Sequence, residues 1–214
     1  MKKSLYIFIG LPASGKGTQI NILKERLGIK EAVGVGILVR EIIKKDESDP
    51  FVKEVKERIA AGIPQPDSVA DKLIEEFLLK STDDLILDNY PFTRPQAEFL
   101  TNFIQNHSDD WNDPILIYVD VSAEEAINRA ITRKTCEDCK EIYPNFKEDV
   151  CPKCGGKLFI RTDDNRATVE TRIYHYLPKI DEVVSFFKEK SYKVLDINGE
   201  QSIEEVAKEI KQKL

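Results

Sequence analysis

A glycine-rich segment near the start of the chain has the residue types that bind a phosphate chain. The segment GLPASGKGT matches the pattern G-x-x-x-x-G-K through Gly10, Gly15 and Lys16. In this pattern backbone N–H groups wrap the phosphates, the next helix directs its positive N-terminus towards them, and the lysine reaches the β- and γ-phosphates. A Ser or Thr normally follows the lysine, whereas here Gly17 stands before Thr18. Because an apolar run precedes the loop and helical spacing follows it, a chance glycine-rich turn is disfavoured.

The cysteines of the chain form two C-x-x-C pairs, Cys136 with Cys139 and Cys151 with Cys154. Thiolates at these spacings can close a tetrahedral Zn²⁺ site without an open position, which predicts a structural zinc rather than a catalytic one. Two disulfides or four free thiols are the alternatives, and disulfides are disfavoured in the cytosol. A zinc ribbon that binds nucleic acid is also disfavoured, because residues 137–149 are rich in acidic side chains.

Short apolar runs alternate with amphipathic stretches, and this order must position both groups of residues. The runs of strand length are 5–9, 85–87, 115–121, 193–197 and a weaker one at 32–35. The helical stretches are 18–27, 38–45, 50–61, 67–79, 95–105, 123–134, 168–190 and 203–213. This alternation predicts an α/β fold, a five-stranded parallel sheet with helices on both faces and ligands at the carboxyl ends of the strands. Segment 135–159 interrupts the pattern and is predicted to be an insertion.

Composition and charge limit the class of protein. The chain has 214 residues, of which 41% are apolar and 33% charged, as in a soluble globular domain rather than a disordered chain. Its net charge of −6 argues against non-specific binding to nucleic acid or to an anionic membrane. The apolar runs are far below the ~20 residues that span a bilayer. The first residues also lack the features of a signal peptide, so we expect a cytoplasmic protein.

The segment GLPASGKGTQ resembles the phosphate loop of adenylate kinases and related nucleoside monophosphate kinases, with Ala13 in place of a glycine. Other segments resemble this family in the same order along nearly the whole chain: GVGILVRE, AAGIPQPDSV, LILDNYPFTRPQAEF, NRAITRK, the cysteine-rich insertion, RTDDNRATVETR and INGEQSIEEV. The resemblance implies a P-loop core (1–34, 80–134 and 160–214), a helical flap that binds the acceptor nucleotide (35–79) and a zinc-binding lid that closes over ATP (135–159).

The half of the site that binds ATP follows the family pattern closely. The residues implied to contact ATP are Gly10, Pro12, Ala13, Ser14, Gly15, Lys16, Gly17, Thr18, Arg129, Arg133 and Gly199. By resemblance, Arg129 stacks on the base and Asp88 holds the water shell of Mg²⁺. The catalytic set is Lys16, Asp88, Arg133, Arg161 and Arg172. Asp163 and Asp164 resemble acids that pair with these arginines. A role as N-terminal cap of the next helix is also compatible with their position, and the two roles do not exclude each other.

The half of the site that binds the acceptor departs from the family pattern. Val35 and Ile37 replace the threonine and the acid of the family, and Phe92 stands where an arginine normally holds the acceptor phosphate. We hypothesise that Arg94 substitutes for that arginine. Gln65 replaces an apolar residue, which indicates either altered base selectivity or an exposed loop. The residues implied to contact the acceptor are Val35, Gly36, Arg40, Gln65, Asn89, Arg94, the adenine-reading Gln96, Arg161 and Arg172.

The resemblance predicts Mg²⁺-dependent in-line transfer of a phosphoryl group between ATP and AMP, giving two ADP. One alternative is a kinase for another (deoxy)nucleoside monophosphate such as CMP or UMP. A second is an ATP-binding regulatory homologue with weak transfer activity. In each case we expect a monomer whose partners are nucleotides rather than nucleic acid or membrane.

Overall fold

A five-stranded parallel sheet forms the centre of the molecule. The computed structural model describes residues 2–42, 50–60, 66–160 and 164–214, with only the backbone at 40 and 58–60. The strands of the central sheet have the order β2-β3-β1-β4-β8. The strands are β1 (Leu5–Ile9), β2 (Glu31–Val33), β3 (Leu85–Asp88), β4 (Ile115–Asp120), β5 (Lys134–Cys136), β6 (Ile142–Tyr143), β7 (Leu158–Phe159) and β8 (Lys193–Asn198). The helices are α1 (Lys16–Leu27), α2 (Val35–Ile42), α3 (Pro50–Ala60), α4 (Asp67–Lys80), α5 (Arg94–Asn106), α6 (Ala123–Thr132), α7 (Arg166–Glu189) and α8 (Ile203–Lys213).

Both faces of the sheet are covered, which confirms the predicted α/β class. Along β1, Leu5, Ile7 and Ile9 belong to a core cluster that also contains apolar residues of α4, α5 and α7. Phe8 points to the other face and packs in a second cluster with residues of α1 and α8. Because successive side chains of a strand alternate between faces, this division is what a strand buried on both sides requires.

The predicted boundaries of β2, α2 and α6 differ from those of the structure. The weak run at 32–35 is the strand Glu31–Val33, and Val35 already begins α2, three residues before the predicted start of that helix. The chain turns at Gly34, where a Cβ atom would lie 2.8 Å from the carbonyl oxygen of Asp88. Helix α6 ends at Thr132, because Arg133 has an extended backbone with a ψ of 144°. Arg129 and Arg133 therefore do not share one helix face.

The cysteine-rich insertion forms a small sheet of its own. Strand β5 pairs antiparallel with both β6 and β7. Cys136, Cys151 and Leu158 are buried there, and Tyr143 and Phe146 pack against them. Three apolar or sulfur-bearing buried residues are a small core, so this element depends on a further source of stability.

The carboxyl edge of the central sheet gathers residues from several strands. Gly10 follows β1, and Asp88 ends β3 in register with Phe8 of β1. Gly199 follows β8, and its N–H donates to the carbonyl oxygen of Asp120 at 2.7 Å. In an open parallel sheet this edge is where ligands bind. Among the described residues, no helix has both the length and the apolar character of a membrane-spanning segment.

Candidate active site

The phosphate-binding segment is a tight turn between β1 and α1. A side chain at Gly10 would collide with the carbonyl oxygen of Val119, so the loop lies directly against β4. Gly15 has a φ of 96°, in the left-handed region that favours glycine. Ala13 has a φ of 63°, a conformation that costs an L-residue ~1 kcal/mol. Ala13 therefore adopts a left-handed backbone conformation at a position where the family has a glycine.

Lys16, the first residue of α1, directs its ammonium back into the loop. The Nζ atom donates to the carbonyl oxygens of Gly10 and Leu11 at 2.8 and 3.0 Å. Burial, together with the nearby charges of Arg133 and Arg172, lowers the pKa of Lys16 to about 8, while the charge of Asp88 opposes this shift. A buried cation that is destabilised in this way is well suited to bind the negative charge of a phosphate chain.

Asp88 lies half-buried at the end of β3. Burial raises the pKa of its carboxyl group, and the charge of Lys16 opposes that shift. Asp88 and Thr18 both line the cavity that contains Lys16. Carboxylate and hydroxyl oxygens beside substrate phosphates are the ligands that Mg²⁺ takes in kinase sites. These two side chains therefore fit a magnesium ion that arrives with a nucleotide.

A cavity of about 720 Å³ opens between the phosphate loop and the insertion. This volume lies within the range of pockets that bind small ligands. Of the residues predicted to contact ATP, all but Gly10 and Pro12 line the cavity. Their side chains and backbones come from the phosphate loop, α6 and the turn after β8, so three separate elements surround one space.

The insertion also lines this cavity, with residues that the sequence did not single out. Ile142, Tyr143, Asn145 and Lys153 line the same cavity as the phosphate loop. The first three lie between the two cysteine pairs, and Lys153 lies within the second pair. From the sequence alone, only an aromatic and a positively charged side chain in an otherwise acidic segment could have pointed to them. The cysteine-rich insertion is thus placed to cover a ligand held by the loop.

Arg129 is fixed by the turn after β8. Its Nη1 atom donates to the carbonyl oxygen of Gly199 at 2.8 Å, and its Nε atom donates to Glu125 at 2.6 Å. A Cβ atom on Gly199 would lie 2.8 Å from side-chain carbons of both Val119 and Val121. Glycine at this position is therefore required by close packing and is more than an ordinary turn residue.

Arg133 and Asp164 form a bidentate ion pair at the base of the insertion. The Nε and Nη2 atoms of Arg133 each donate to a different oxygen of Asp164, both at 2.7 Å. The side chains are only 12% and 1% exposed. The structure thus shows the pairing that the resemblance implied for Asp164. Asp164 is not the N-cap residue of α7, because Asn165 caps that helix by accepting from the N–H of Thr168.

The predicted acceptor residues near the sheet edge lie beside Asp88. Val35 is half-buried against the core, and the next residue, Gly36, is exposed in the first turn of α2. Asn89 has a φ of 56°, and its N–H donates to the carbonyl oxygen of Phe8 at 2.8 Å. Within the described residues, the buried Oδ1 atom of Asn89 has no hydrogen-bond partner.

Gln96 connects the segment after β3 to α4. Its Oε1 atom accepts from the N–H of Phe92 at 2.7 Å, and its Nε2 atom donates to Asp67 at 2.8 Å. Asp67 also accepts from the hydroxyl of Thr93 at 2.8 Å. The side-chain amide retains one N–H and one carbonyl lone pair, which are the groups that a nucleotide base would need.

Arg94 lies in an exposed cluster on α5 and α7. Its guanidinium is 2.9 Å from a carboxylate oxygen of Glu189 and 3.5 Å from one of Glu98. It also lies over the ring of Phe186, 5.3 Å from the centroid. Because two carboxylates already pair with this charge, its position disfavours the hypothesis that Arg94 replaces the arginine absent at Phe92.

Some predicted residues cannot be placed by their side chains. Gln65, Arg161 and Asp163 lie outside the described residues. Arg40 is in α2, where only its backbone is described. The side chain of Arg172, by contrast, is described: it lies on α7, and its charge helps to lower the pKa of Lys16.

The four cysteines of the insertion come together. Their Sγ atoms all lie within 4.8 Å of one another. The distances Cys136–Cys154 and Cys139–Cys151 are 3.5 and 3.7 Å, far beyond a disulfide bond of ~2.0 Å. A tetrahedral zinc with Zn–S bonds of ~2.3 Å separates its sulfurs by ~3.8 Å. The cluster is therefore compatible with a structural zinc ion and not with the disulfide alternative.

Comparisons with known proteins agree with this geometry. The family model "Adenylate kinase" matches residues 8–192. An adenylate kinase of Bacillus licheniformis is 35% identical over 97% of this chain and 96% of its own length. The adenylate kinase of Syntrophotalea carbinolica is 34% identical over 95% of this chain and 95% of its own length. That of Archaeoglobus fulgidus is 33% identical over 95% of this chain and 94% of its own length. The chain belongs to the adenylate kinase family.

Proposed function

We propose that the protein transfers the γ-phosphoryl group of ATP to AMP and so forms two ADP. The observation that carries this proposal is the cavity that holds Lys16, Arg129 and Arg133 against the phosphate loop and is covered by the insertion. In the transfer, an oxygen of the AMP phosphate forms a bond to the γ-phosphorus as the bond to the β–γ bridging oxygen breaks. Phosphoryl transfer needs positioning and charge stabilisation rather than a covalent intermediate.

The chain supplies positive charge from several elements for this reaction. Lys16 exchanges its two loop carbonyls for phosphate oxygens, and Arg133 and Arg172, which share its electrostatic environment, contact the phosphates of the two nucleotides. Arg161 joins them by resemblance. Arg129 stacks on the ATP base beside Gly199. Asp88 and Thr18, which line the same cavity, are the residues that would hold Mg²⁺, and the ion would supply positive charge to neutralise the phosphates.

On the acceptor side, Gly36, Arg40, Asn89 and Gln96 contact AMP. Gln96 is 5% exposed and held in place by Asp67, so its remaining N–H and lone pair have a defined direction. A preorganised amide of this kind can read the edge of adenine. We include Gln65 and Val35 in the acceptor site by resemblance alone.

A second candidate function is transfer to a monophosphate other than AMP. It is favoured by the aromatic ring of Phe92 at the position of a family arginine and by the buried, unsatisfied Oδ1 atom of Asn89 among the described residues. A regulatory homologue with weak transfer is less favoured, because the ATP side retains its loop, lysine and arginines.

We propose that segments 35–79 and 135–159 move relative to the core, which comprises 1–34, 80–134 and 160–214. The Arg133–Asp164 pair stands where the chain enters and leaves the second segment, so it anchors the hinge while the insertion closes. Closure excludes water, which would otherwise accept the phosphoryl group.

We further propose that the protein acts as a cytoplasmic monomer on free nucleotides, without nucleic-acid or membrane partners. The net charge of −6 opposes binding to polyanions, and one chain supplies all of the residues assigned above. Light scattering of the purified protein measures its mass directly, and a dimer would contradict this part of the proposal.

A panel of acceptors tests the function. Formation of ADP or another diphosphate is measured with ATP, Mg²⁺ and, in turn, AMP, CMP, UMP, GMP and their deoxy forms. Turnover that is fastest with AMP supports the leading proposal, and turnover fastest with a pyrimidine supports the second. ATP binding without turnover of any acceptor would refute both kinase functions and would support a regulatory ATP-binding homologue.

A further inference from the structure

A row of side chains on α7 faces the position of the missing arginine. The ring of Phe92 meets the ring of Tyr176 edge to face, with centroids 4.6 Å apart. The Nζ atom of Lys179 lies 5.2 Å from the centroid of Phe92, and the guanidinium carbon of Arg172 lies 6.0 Å from that of Tyr176. The spacing of 172, 176 and 179 puts all three on one face of the helix.

The two ends of this row face different parts of the site. Arg172 acts electrostatically on Lys16 and so lies towards the phosphate loop. Lys179 is seven residues farther along α7, a rise of ~10.5 Å. It lies over Phe92, whose N–H is bound to Gln96 at the proposed acceptor site. The row thus leads from the transferred phosphoryl group towards the acceptor.

The charge of Lys179 is available to a ligand. Among the described residues no carboxylate pairs with it, in contrast to Arg94, which is held by Glu189 and Glu98. Lys179 is exposed, and its cation–π interaction with Phe92 is weaker than a charge-assisted hydrogen bond to phosphate. A lysine stem is also flexible enough to move a few ångströms on binding.

We propose that Lys179 supplies the positive charge that the family obtains from an arginine at position 92, by binding the phosphate of the acceptor monophosphate. The Nζ atom leaves the Phe92 ring when the acceptor binds and donates to a phosphate oxygen. Phe92 and Tyr176 form the apolar support that keeps the lysine on this side of α7. The inference rests on the proposed function, since it concerns the acceptor of the same reaction.

The test uses the full-length zinc-loaded protein and three variants, Lys179→Met, Lys179→Arg and Lys188→Met. Lys188 is an exposed lysine of the same helix that pairs with Asp196, so its replacement is the matched control. The loss of one charge-assisted hydrogen bond predicts that Lys179→Met raises the KM for AMP about 10- to 100-fold. The KM for ATP stays unchanged, Lys179→Arg keeps the AMP KM within a few-fold, and the control resembles wild type.

Calorimetric binding of adenosine separates a phosphate contact from a structural effect. Adenosine has no phosphate, so Lys179→Met should raise the dissociation constant of AMP and leave that of adenosine unchanged. An unchanged KM for AMP, or an equal loss of affinity for AMP and for adenosine, would overturn the inference. A wild-type protein that phosphorylates no monophosphate would instead refute the proposed function, so the two failures are distinguishable.

Discussion

Replacing Lys16 by methionine should stabilise the fold while removing phosphate binding. Burial lowers the pKa of Lys16 from 10.5 to about 8, so at neutral pH the folded state bears a charge that it disfavours relative to the unfolded chain. At 1.36 kcal/mol for each pKa unit, this shift corresponds to ~3 kcal/mol of lost stability. Methionine also forfeits the two hydrogen bonds to loop carbonyls, each of which contributes ~1 kcal/mol. We therefore expect Lys16→Met to raise the free energy of unfolding by ~1–2 kcal/mol at pH 7.

The sign of this effect depends on pH in a defined window. Above pH 10.5 Lys16 is neutral in both states, and the penalty is absent. As the pH falls from 10.5 to about 8, the unfolded chain takes up a proton before the folded one does, and wild-type stability declines relative to the variant. Below about pH 8 the full penalty is present. The advantage of Lys16→Met should therefore be greatest at pH 7 and smaller at pH 8.5. By pH 10 the variant should be less stable than wild type by ~1 kcal/mol, because the ~2 kcal/mol of lost hydrogen bonds then exceeds the remaining penalty.

Urea denaturation at pH 7, 8.5 and 10 measures these differences, with fluorescence of Trp111 as the signal. Lys208→Met is the matched control, because this lysine is exposed on α8 and its replacement should change the free energy of unfolding by less than ~0.5 kcal/mol. ATP binding, measured by calorimetry, should be lost in Lys16→Met alone. A variant that is less stable than wild type at pH 7, or a difference that does not change with pH, would refute the reasoning.

Three further predictions concern the hinge, the ATP-side turn and the cysteine cluster. Asp164→Asn leaves the largely buried guanidinium of Arg133 without its counter-charge, so it should lower the free energy of unfolding by ~3 kcal/mol. Urea titration measures this change, and an unchanged midpoint would contradict it. Gly199→Ala should lower the free energy of unfolding by ~1–3 kcal/mol, because its Cβ atom has no room. It should also raise the KM for ATP several-fold more than the KM for AMP, since the added Cβ displaces the carbonyl that binds Arg129. Equal changes in both KM values would contradict this prediction. Removal of metal with a chelator should abolish hydrogen-exchange protection in residues 134–159 and reduce turnover, while the central sheet stays protected. Loss of activity that occurs only together with global unfolding would oppose a role of the metal confined to the insertion.

The central sheet could be predicted from the sequence because its strands are short apolar runs with clear helical stretches between them. Leu5–Ile9 was identified to the residue, and the other central strands to within one or two residues, apart from the weak run that contains β2. That run is apolar enough to continue a strand through Val35. In the structure the strand ends at Val33, and Gly34 passes so close to Asp88 at the end of β3 that a Cβ atom there would collide with it, a long-range constraint that no local pattern encodes.

The site shows the same division between local and long-range information. The phosphate loop and the cysteine pairs are contiguous motifs, so their residues could be named in advance and the structure gathers them. The pairing of Arg94 depends on Glu189, which is 95 residues away in the chain. Lys179 and Tyr143 carry no local motif, and only the packing of α7 against Phe92 and of the insertion over the loop brings them to the site.

The fate of the γ-phosphoryl group of ATP tests the central claim most directly. The full-length protein is incubated with Mg²⁺, AMP and ATP labelled at the γ-position, and the initial products are separated. We expect labelled ADP, formed in equal amount to unlabelled ADP, with little labelled inorganic phosphate and no transfer by Lys16→Met. Label that appears only as inorganic phosphate, or that remains in ATP, would contradict it.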